Sequence, residues 1–367
     1  MSQKTPLYDE HVEAGARMVE FAGWQLPIRY GSLVEEHHAV RRRAGMFDVS
    51  HMTVVDIQGA GAREGLRRLL ANDVDKIREA GQAIYGCMLD ESGGIIDDLI
   101  TYRLEDDFYR MVVNAATRAG DLEWIERQLA DFDVCVTERD DLAMIAVQGP
   151  EAIDHVVELL GAPDVAALKP FRSLVHGDCF IARTGYTGED GCEIILPNQI
   201  APEMWRKLVA RGVVPCGLGA RDSLRLEAGL NLYGQDMDRD TTPLESNLAW
   251  TVAFEPAERD FIGRRALEKQ KSEGVSRKLT GLVLGAGGIP RQGARVLTDA
   301  GDGVVTSGGF SPTLERPVAM ARIPRSAGDE AIVELRGREL PAQTVKLPFV
   351  RNGKARHGLV TDVTRNG

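Results

Sequence analysis

Apolar and polar positions follow two rhythms along this chain, and the change between them divides it. Residues 33–43 read as a helix, with Glu35 and Glu36 first and Arg41, Arg42 and Arg43 last, the order that suits a helix dipole. Gly45 closes it. Residues 53–57 alternate as a strand, 62–70 as a helix, 83–89 as a second strand. The pair Gly93-Gly94 makes a turn into a third strand, 95–102, and 109–114 is a fourth. Residues 118–131 follow as a helix on Leu122, Ile125 and Leu129. The stretch from 55 to about 135 thus predicts β-α-β-β-β-α, an α+β arrangement.

The same texture continues through a strand at 142–147, a helix at 152–160, strands at 179–183 and 192–196, and a helix at 204–210. A glycine loop from 216 leads into a helix carrying Arg221, Arg225 and Glu227. Residues 256–278 are strongly charged and predict a surface helix within a linker. From 279 onward short β-rich runs are divided by glycine: 279–284, 294–297, 303–310, 318–323, 331–335 and 343–346. That spacing predicts a small barrel or sandwich. The expected organisation is a region 1–255 of two interleaved α+β subdomains, a linker 256–278, a β-barrel 279–350 and a tail 351–367.

Composition narrows the function classes. Net charge is -11, which argues against a general nucleic-acid binder, although a local arginine cluster could still hold a small anion. The first residues contain no apolar signal core, and no run is long enough to span a membrane. Five cysteines, Cys87, Cys135, Cys179, Cys192 and Cys216, are odd in number and form no C-x-x-C pair. A zinc site or a disulfide framework is therefore not expected, and reduced thiols in a cytoplasmic protein are.

The candidate chemistry lies where polar residues interrupt apolar strands. In S-G-G-I-I-D-D-L-I-T-Y, Asp97 and Asp98 sit side by side in a strand, where aspartate is disfavoured. Neighbouring strand residues face opposite ways, so one of the two is expected to point inward, where its surroundings control its ionisation. The alternative is a solvated hairpin end. Glu193 is the same kind of interruption in 192–196. Asp48, Ser50 and His51 resemble a hydrolase triad, but no G-x-S-x-G elbow surrounds Ser50, and a structural or pocket-lining role is expected. His37 and His38 are adjacent on a helix and diverge, so they do not predict a metal site. The loop G-Y-T-G-E-D-G fits neither a dinucleotide nor a phosphate-loop pattern and is expected to hold Tyr186. Arg221 and Arg225 are like charges one turn apart, which is unfavourable unless an anion lies nearby; Asp222 is one such partner.

Several motifs together carry a resemblance. These are T-P-L-Y-x-x-H, F-A-G-W-x-x-P, G-M-F-D-V-S-H-M, G-G-I-I-D-D-L-I, R-T-G-Y-T-G-E-D-G-x-E, G-L-G-A-R-D-x-L-R-L-E-A-G, L-Y-G-Q-D-M-D and T-S-G-x-F-S-P-T-L. In this order they resemble the aminomethyltransferase (T-protein) family of the glycine cleavage system, from Thr5 to about Val350. The resemblance implies a three-domain α+β folate-binding fold around a central channel, ending in a small β-barrel. It implies tetrahydrofolate as acceptor, no metal, and the lipoylated H-protein as partner and donor of an aminomethyl group. The products would be methylenetetrahydrofolate, ammonia and dihydrolipoyl H-protein. By motif position it puts the catalytic role on Asp98 and folate contacts on Tyr102, Asn114, Tyr186, Glu193 and Arg221. Arg351, with Lys354 and Arg356, is a weaker candidate for folate's glutamate carboxylates. Arg41–Arg43 and the 351–356 tail are candidates for partner docking. The competing readings are a non-enzymatic folate carrier of the same fold and a folate-dependent demethylase relative. Demethylase relatives are fused to an upstream flavin domain with a dinucleotide glycine motif, which this chain lacks.

Overall fold

Strand periodicity explains the architecture most directly. In Thr53–Gln58, Val54 packs in one apolar layer while Val55 and Ile57 pack in another, as alternation requires. The computed structural model, which describes residues 2–285, 287–356 and 358–359, shows what those two layers are. Val54 joins Tyr102 and Val112 of its own sheet against Met144, Ala146, Phe180 and Ile195 of a second sheet. Val55 and Ile57 instead meet Leu66, Leu69, Trp124, Ile125 and Leu129 on the helices Ala62–Leu69 and Arg118–Leu129.

The first sheet runs in the order Ala83–Leu89, Ile95–Glu105, Phe108–Val113, Thr53–Gln58, Cys135–Glu138. The second runs Ser173–His176, Cys179–Ala182, Gly191–Pro197, Leu142–Gln148, Gly45–Asp48, Val214–Pro215. On the far side of the second sheet, Ala143, Ile145 and Val147 pack with the helices Ala152–Leu160 and Ala201–Ala210. Helix, sheet, sheet and helix are thus stacked, and both sheets are covered on both faces. Strands covered on both faces read as near-continuous apolar runs, so a carboxylate within one stands out.

The C-terminal runs form a closed barrel in the order Arg277–Leu284, Arg316–Pro324, Gly301–Ser311, Arg295–Thr298, Glu330–Leu335, Arg338–Val345. Closure removes the exposed edges that six short strands would otherwise present. The charged stretch before it contains the helix Arg264–Glu273. It is tied down more firmly than a surface linker would be. The Arg259 guanidinium donates to the carbonyls of Arg67, Leu70, Ala71, Asn72 and Ala253, and Phe261 and Leu267 are buried.

The helix Leu218–Glu227 joins the parts. Leu224 enters the inter-sheet layer, Leu226 packs with Phe349 beside the barrel, and Arg225 donates to Asp222, Asp236 and Ser307. Glu227, fully buried, accepts from Arg41, Ser311 and Thr313, with His37 Nε2 at 3.2 Å. Arg41 is therefore a structural cation, and only Arg42 and Arg43 of the triplet are exposed. Burial alone would push the Glu227 carboxyl up, but hydrogen bonding and the charges of His37 and Arg41 win and pull it down to about 2. A depressed carboxylate stabilises the fold above its unfolded value, and that stability is lost as pH falls from the ordinary range toward about 2. Arg41→Met strands two buried carboxylates, Glu189 and Glu227, and is expected to cost about 3–5 kcal/mol in urea unfolding.

Candidate active site

The two sheets enclose the polar groups of interest between them. Alternation along Ile95–Glu105 places Asp98 on the same face as Ile100 and Tyr102, toward the second sheet. Along Gly191–Pro197 it places Glu193 on the same face as Ile195, toward the first. Asp98, Tyr102 and Glu193 therefore face one inter-sheet space, although 95 residues of chain separate the two carboxylates.

The hairpin that delivers Asp98 is built by its turn. Asp90 Oδ1 accepts from the backbone N–H groups of Ser92 and Gly94 and from the Ser92 hydroxyl. Gly93 has φ +84°, and a Cβ on Gly94 would lie 2.0 Å from the Arg239 carbonyl oxygen, so both glycines are required. Beyond the turn, Leu89 pairs with Ile95 but Met88 pairs with Asp97, a bulge of one residue. Asp98 then lies opposite Cys87, and the next strand leads directly to Asn114.

Both aspartates are held by Asn114. Its Nδ2 lies 2.8 Å from Asp97 Oδ1 and 2.9 Å from Asp98 Oδ1, and its backbone N–H donates to Asp97 Oδ2 at 2.9 Å. The Tyr85 hydroxyl donates to Asp98 Oδ2 at 2.7 Å. The expectation that only one member of the pair points inward needs correction. The two do face opposite sides, but helix Arg118–Leu129 covers the second side, so Asp97 is fully buried and Asp98 retains partial access. Burial is the main cause that pushes the Asp98 carboxyl up to about 7.

At the other end of the space Tyr102, Thr184 and Glu193 form a relay. The Thr184 hydroxyl donates to Glu193 Oε2 at 2.6 Å, which leaves its oxygen to accept from the Tyr102 hydroxyl at 3.1 Å. Burial raises the Glu193 carboxyl, partly offset by Thr184 and by the charge of Arg221. Arg221 lies over the Tyr186 ring, 4.8 Å from its centroid, and the Tyr186 hydroxyl donates to the Asn231 carbonyl. Arg225 finds carboxylate partners in Asp222 and Asp236; Arg221 Nη1 is buried with no acceptor among the described residues. His51, also buried, has an unpartnered Nδ1, and burial together with the Arg221 charge holds it down to about 4, hence neutral. A carboxylate, an unsatisfied guanidinium nitrogen and a neutral imidazole thus share one region, a donor and acceptor set suited to a flat polar ring.

The triad-like residues do not assemble. Ser50 exchanges hydrogen bonds with the backbone of Met144, and Asp48 accepts from Thr5 and His11. His37 is taken up by Ser223, Thr313 and Glu227. Arg351 is exposed on the short hairpin Val350–Arg351/Lys354–Ala355. That hairpin is fastened to the Tyr186 loop by Asn352 N–H to the Gly188 carbonyl and Gly353 N–H to the Glu189 carboxylate. The rest of the expected tail, residue 357 and residues 360–367, lies outside the described residues. Sequence reasoning passed over Tyr85, Thr184 and Trp250. The Trp250 ring is 66% exposed and stacks on Tyr85 at 5.9 Å, beside Asp98. Tyr85 could have been found from the hairpin register; Trp250 arrives from a distant loop with no local signal.

Whole-chain comparisons show the family and the fold. Residues 7–256 match the GCVT N-terminal domain and residues 277–351 the glycine cleavage T-protein C-terminal barrel domain. The aminomethyltransferase of Xanthomonas axonopodis pv. citri is 55% identical over 99% of this chain and 100% of its own length. That of Xanthomonas oryzae pv. oryzae is 54% identical over the same shares. The crystal structure of glycine cleavage system aminomethyltransferase T from Bartonella henselae superposes with a TM-score of 0.91 at 38% identity, covering 96% of this chain and 99% of that one. With sheet pair, barrel and inter-sheet carboxylates all in place, the chain belongs to the aminomethyltransferase family of glycine cleavage T-proteins.

Proposed function

We propose that this enzyme transfers the one-carbon unit of an aminomethyl group, carried on the lipoyl arm of an H-protein, to tetrahydrofolate. The products are 5,10-methylenetetrahydrofolate, ammonia and the dihydrolipoyl H-protein. The observation that carries the reading is the placement of two carboxylates, half-buried Asp98 and buried Glu193, facing one inter-sheet space from opposite sheets in a chain of this family. The residues present suit a pterin. Glu193 offers an acceptor edge to an N–H and an amino group, Arg221 Nη1 is a donor in search of an acceptor, and Tyr186 supplies an aromatic wall. Asp98, with a carboxyl near 7, can align a folate amine, take up at Oδ1 or Oδ2 the proton that amine loses as it attacks, and return a proton to the departing nitrogen so that it leaves as ammonia. Tyr85 and Asn114 hold that carboxyl in one orientation. The test is turnover with aminomethylated H-protein and tetrahydrofolate. Folate binding without turnover would favour the carrier reading.

No helix among the described residues is long and apolar enough to cross a membrane, and the partner is expected to be met in solution. With a net charge of -11, long-range steering toward an H-protein that is itself acidic, as the family resemblance implies, is repulsive and is screened over about 8–10 Å. Docking then depends on local cations. Arg42 and Arg43 are exposed, whereas Arg41 is committed to the core. Reversing both to glutamate is expected to raise the Michaelis constant for H-protein and to spare activity with free aminomethyl-lipoamide. Equal losses with the two donors would remove these arginines from the docking surface.

A further inference from the structure

Behind Asp98, on the side the reaction does not touch, a third carboxylate is buried. Asp121 lies in the first turn of helix Arg118–Leu129 and faces inward with Trp124, Ile125 and Leu129; its exposure is 0%, as is that of Asp97. Neither Asp121 oxygen receives a hydrogen bond from an N–H or hydroxyl donor among the described residues. Nearby Thr117 uses its hydroxyl on the Asn114 carbonyl. The side chains within hydrogen-bonding reach of Asp121 are this Thr117, whose proton is already committed to Asn114, and the carboxyl of Asp97. Two ionised carboxylates in contact without water repel strongly, and the contact becomes attractive only with a proton between them.

We propose that Asp121 is a positioning residue that holds one proton between its own carboxyl and that of Asp97, so that Asp97 stays uncharged and the negative charge of the site is carried by Asp98. Asn114 makes the consequence local, because its one Nδ2 group touches both Asp97 and Asp98. An ionised Asp97 would place a second charge beside Asp98 and make Asp98 harder to ionise. The other groups facing the pair fit this division. Arg239 acts on Asp121 and favours its ionised form, which leaves the proton on Asp97. Tyr233 lies near both and donates to the Ile95 carbonyl, with Asp238 beside it. Tyr85 and Cys87 stand on the Asp98 side, where Tyr85 donates to Asp98 and burial keeps the Cys87 thiol protonated. Burial and the facing Asp121 hold Asp97 well above the usual carboxylate range.

The inference rests on the proposed role of Asp98, but one of its two tests does not depend on the reaction. In infrared spectra of the full chain at pH 8, the wild type is expected to show the carbonyl stretch of a protonated buried carboxylic acid, and Asp97→Asn is expected to lack it. If that band is missing from the wild type, or survives in Asp97→Asn, the shared proton is refuted, whatever the enzyme transfers. The kinetic test uses Asp121→Asn, whose amide can donate to an ionised Asp97. The acid limb of kcat against pH is expected to move up by about one unit, with the Michaelis constant for tetrahydrofolate unchanged. The double variant Asp97→Asn/Asp121→Asn, with no charge in the pair, is expected to return the limb to the wild-type position or lower. A purely structural Asp121 would lower kcat at every pH without moving the limb, and that outcome overturns the proposal.

Discussion

Asp98→Asn is expected to keep the fold and the affinity for tetrahydrofolate while losing about 10²- to 10⁴-fold of turnover, the span that a positioned acid–base group supplies. The amide preserves the shape of the side chain: its oxygen can still accept from Asn114 Nδ2 and its NH2 can donate to the Tyr85 hydroxyl oxygen, so the hairpin has little reason to shift. It cannot take up a proton. The wild-type carboxyl is held near 7 chiefly by burial, so its basic form dominates above that pH. Wild-type kcat should therefore fall as pH drops through about 7, and the variant's residual rate should be flat across the same window. Asp97→Asn should cost less, because that carboxyl faces Asp121 and not the inter-sheet space. Equal losses in the two variants, or a larger loss at position 97, would place the reacting groups on the wrong side of the sheet. Steady-state kinetics over pH, with folate affinity measured separately, decides it.

Glu193→Gln is expected to weaken tetrahydrofolate binding by about 1–3 kcal/mol, the cost of leaving a buried polar group unsatisfied. In affinity that is roughly 5- to 150-fold. One oxygen of the side chain is already taken by Thr184, and the amide oxygen of the variant can still accept that hydrogen bond. The exchange then turns the remaining acceptor into a donor, aimed where a donor edge of the ligand is expected. Because burial raises the Glu193 carboxyl, wild-type affinity should also weaken as pH falls toward the protonated form, and the Glu193→Gln variant should lose that dependence. Isothermal calorimetry at two pH values measures both effects. An unchanged dissociation constant would take Glu193 out of the pocket.

Local sequence determined a good deal here. Asp98 and Glu193 could be singled out because carboxylates are out of place in β runs, and the faces they occupy follow from alternation alone. The six barrel runs were visible as short apolar stretches between glycines, and each lies within a few residues of an observed strand. Gly93 and Gly94 announced the turn, because only glycine fits there. These features depend on chemistry within a few residues of chain.

What only the tertiary structure decided depends on what covers each face. A strand read alone cannot tell that helix Arg118–Leu129 closes the second side, so alternation allows only one aspartate to point inward, whereas Asp97 is the more buried of the pair. By sequence Arg41 is a docking candidate beside Arg42 and Arg43; Glu227, 186 residues away, draws it inside because a buried carboxylate needs a cation. Residues 256–278 looked like a linker by charge, yet Arg259 turns inward to cap five carbonyls, whose demand for donors the chain's own sequence does not advertise. The contrast between Arg225 and Arg221 is of the same kind: one turn apart on one helix, the first is neutralised by Asp222 and Asp236 while the second keeps an unpaired nitrogen facing the inter-sheet groups. Periodicity sets the direction in which a side chain leaves the backbone; only the packing of distant elements sets whether it meets water, a counter-charge or a ligand.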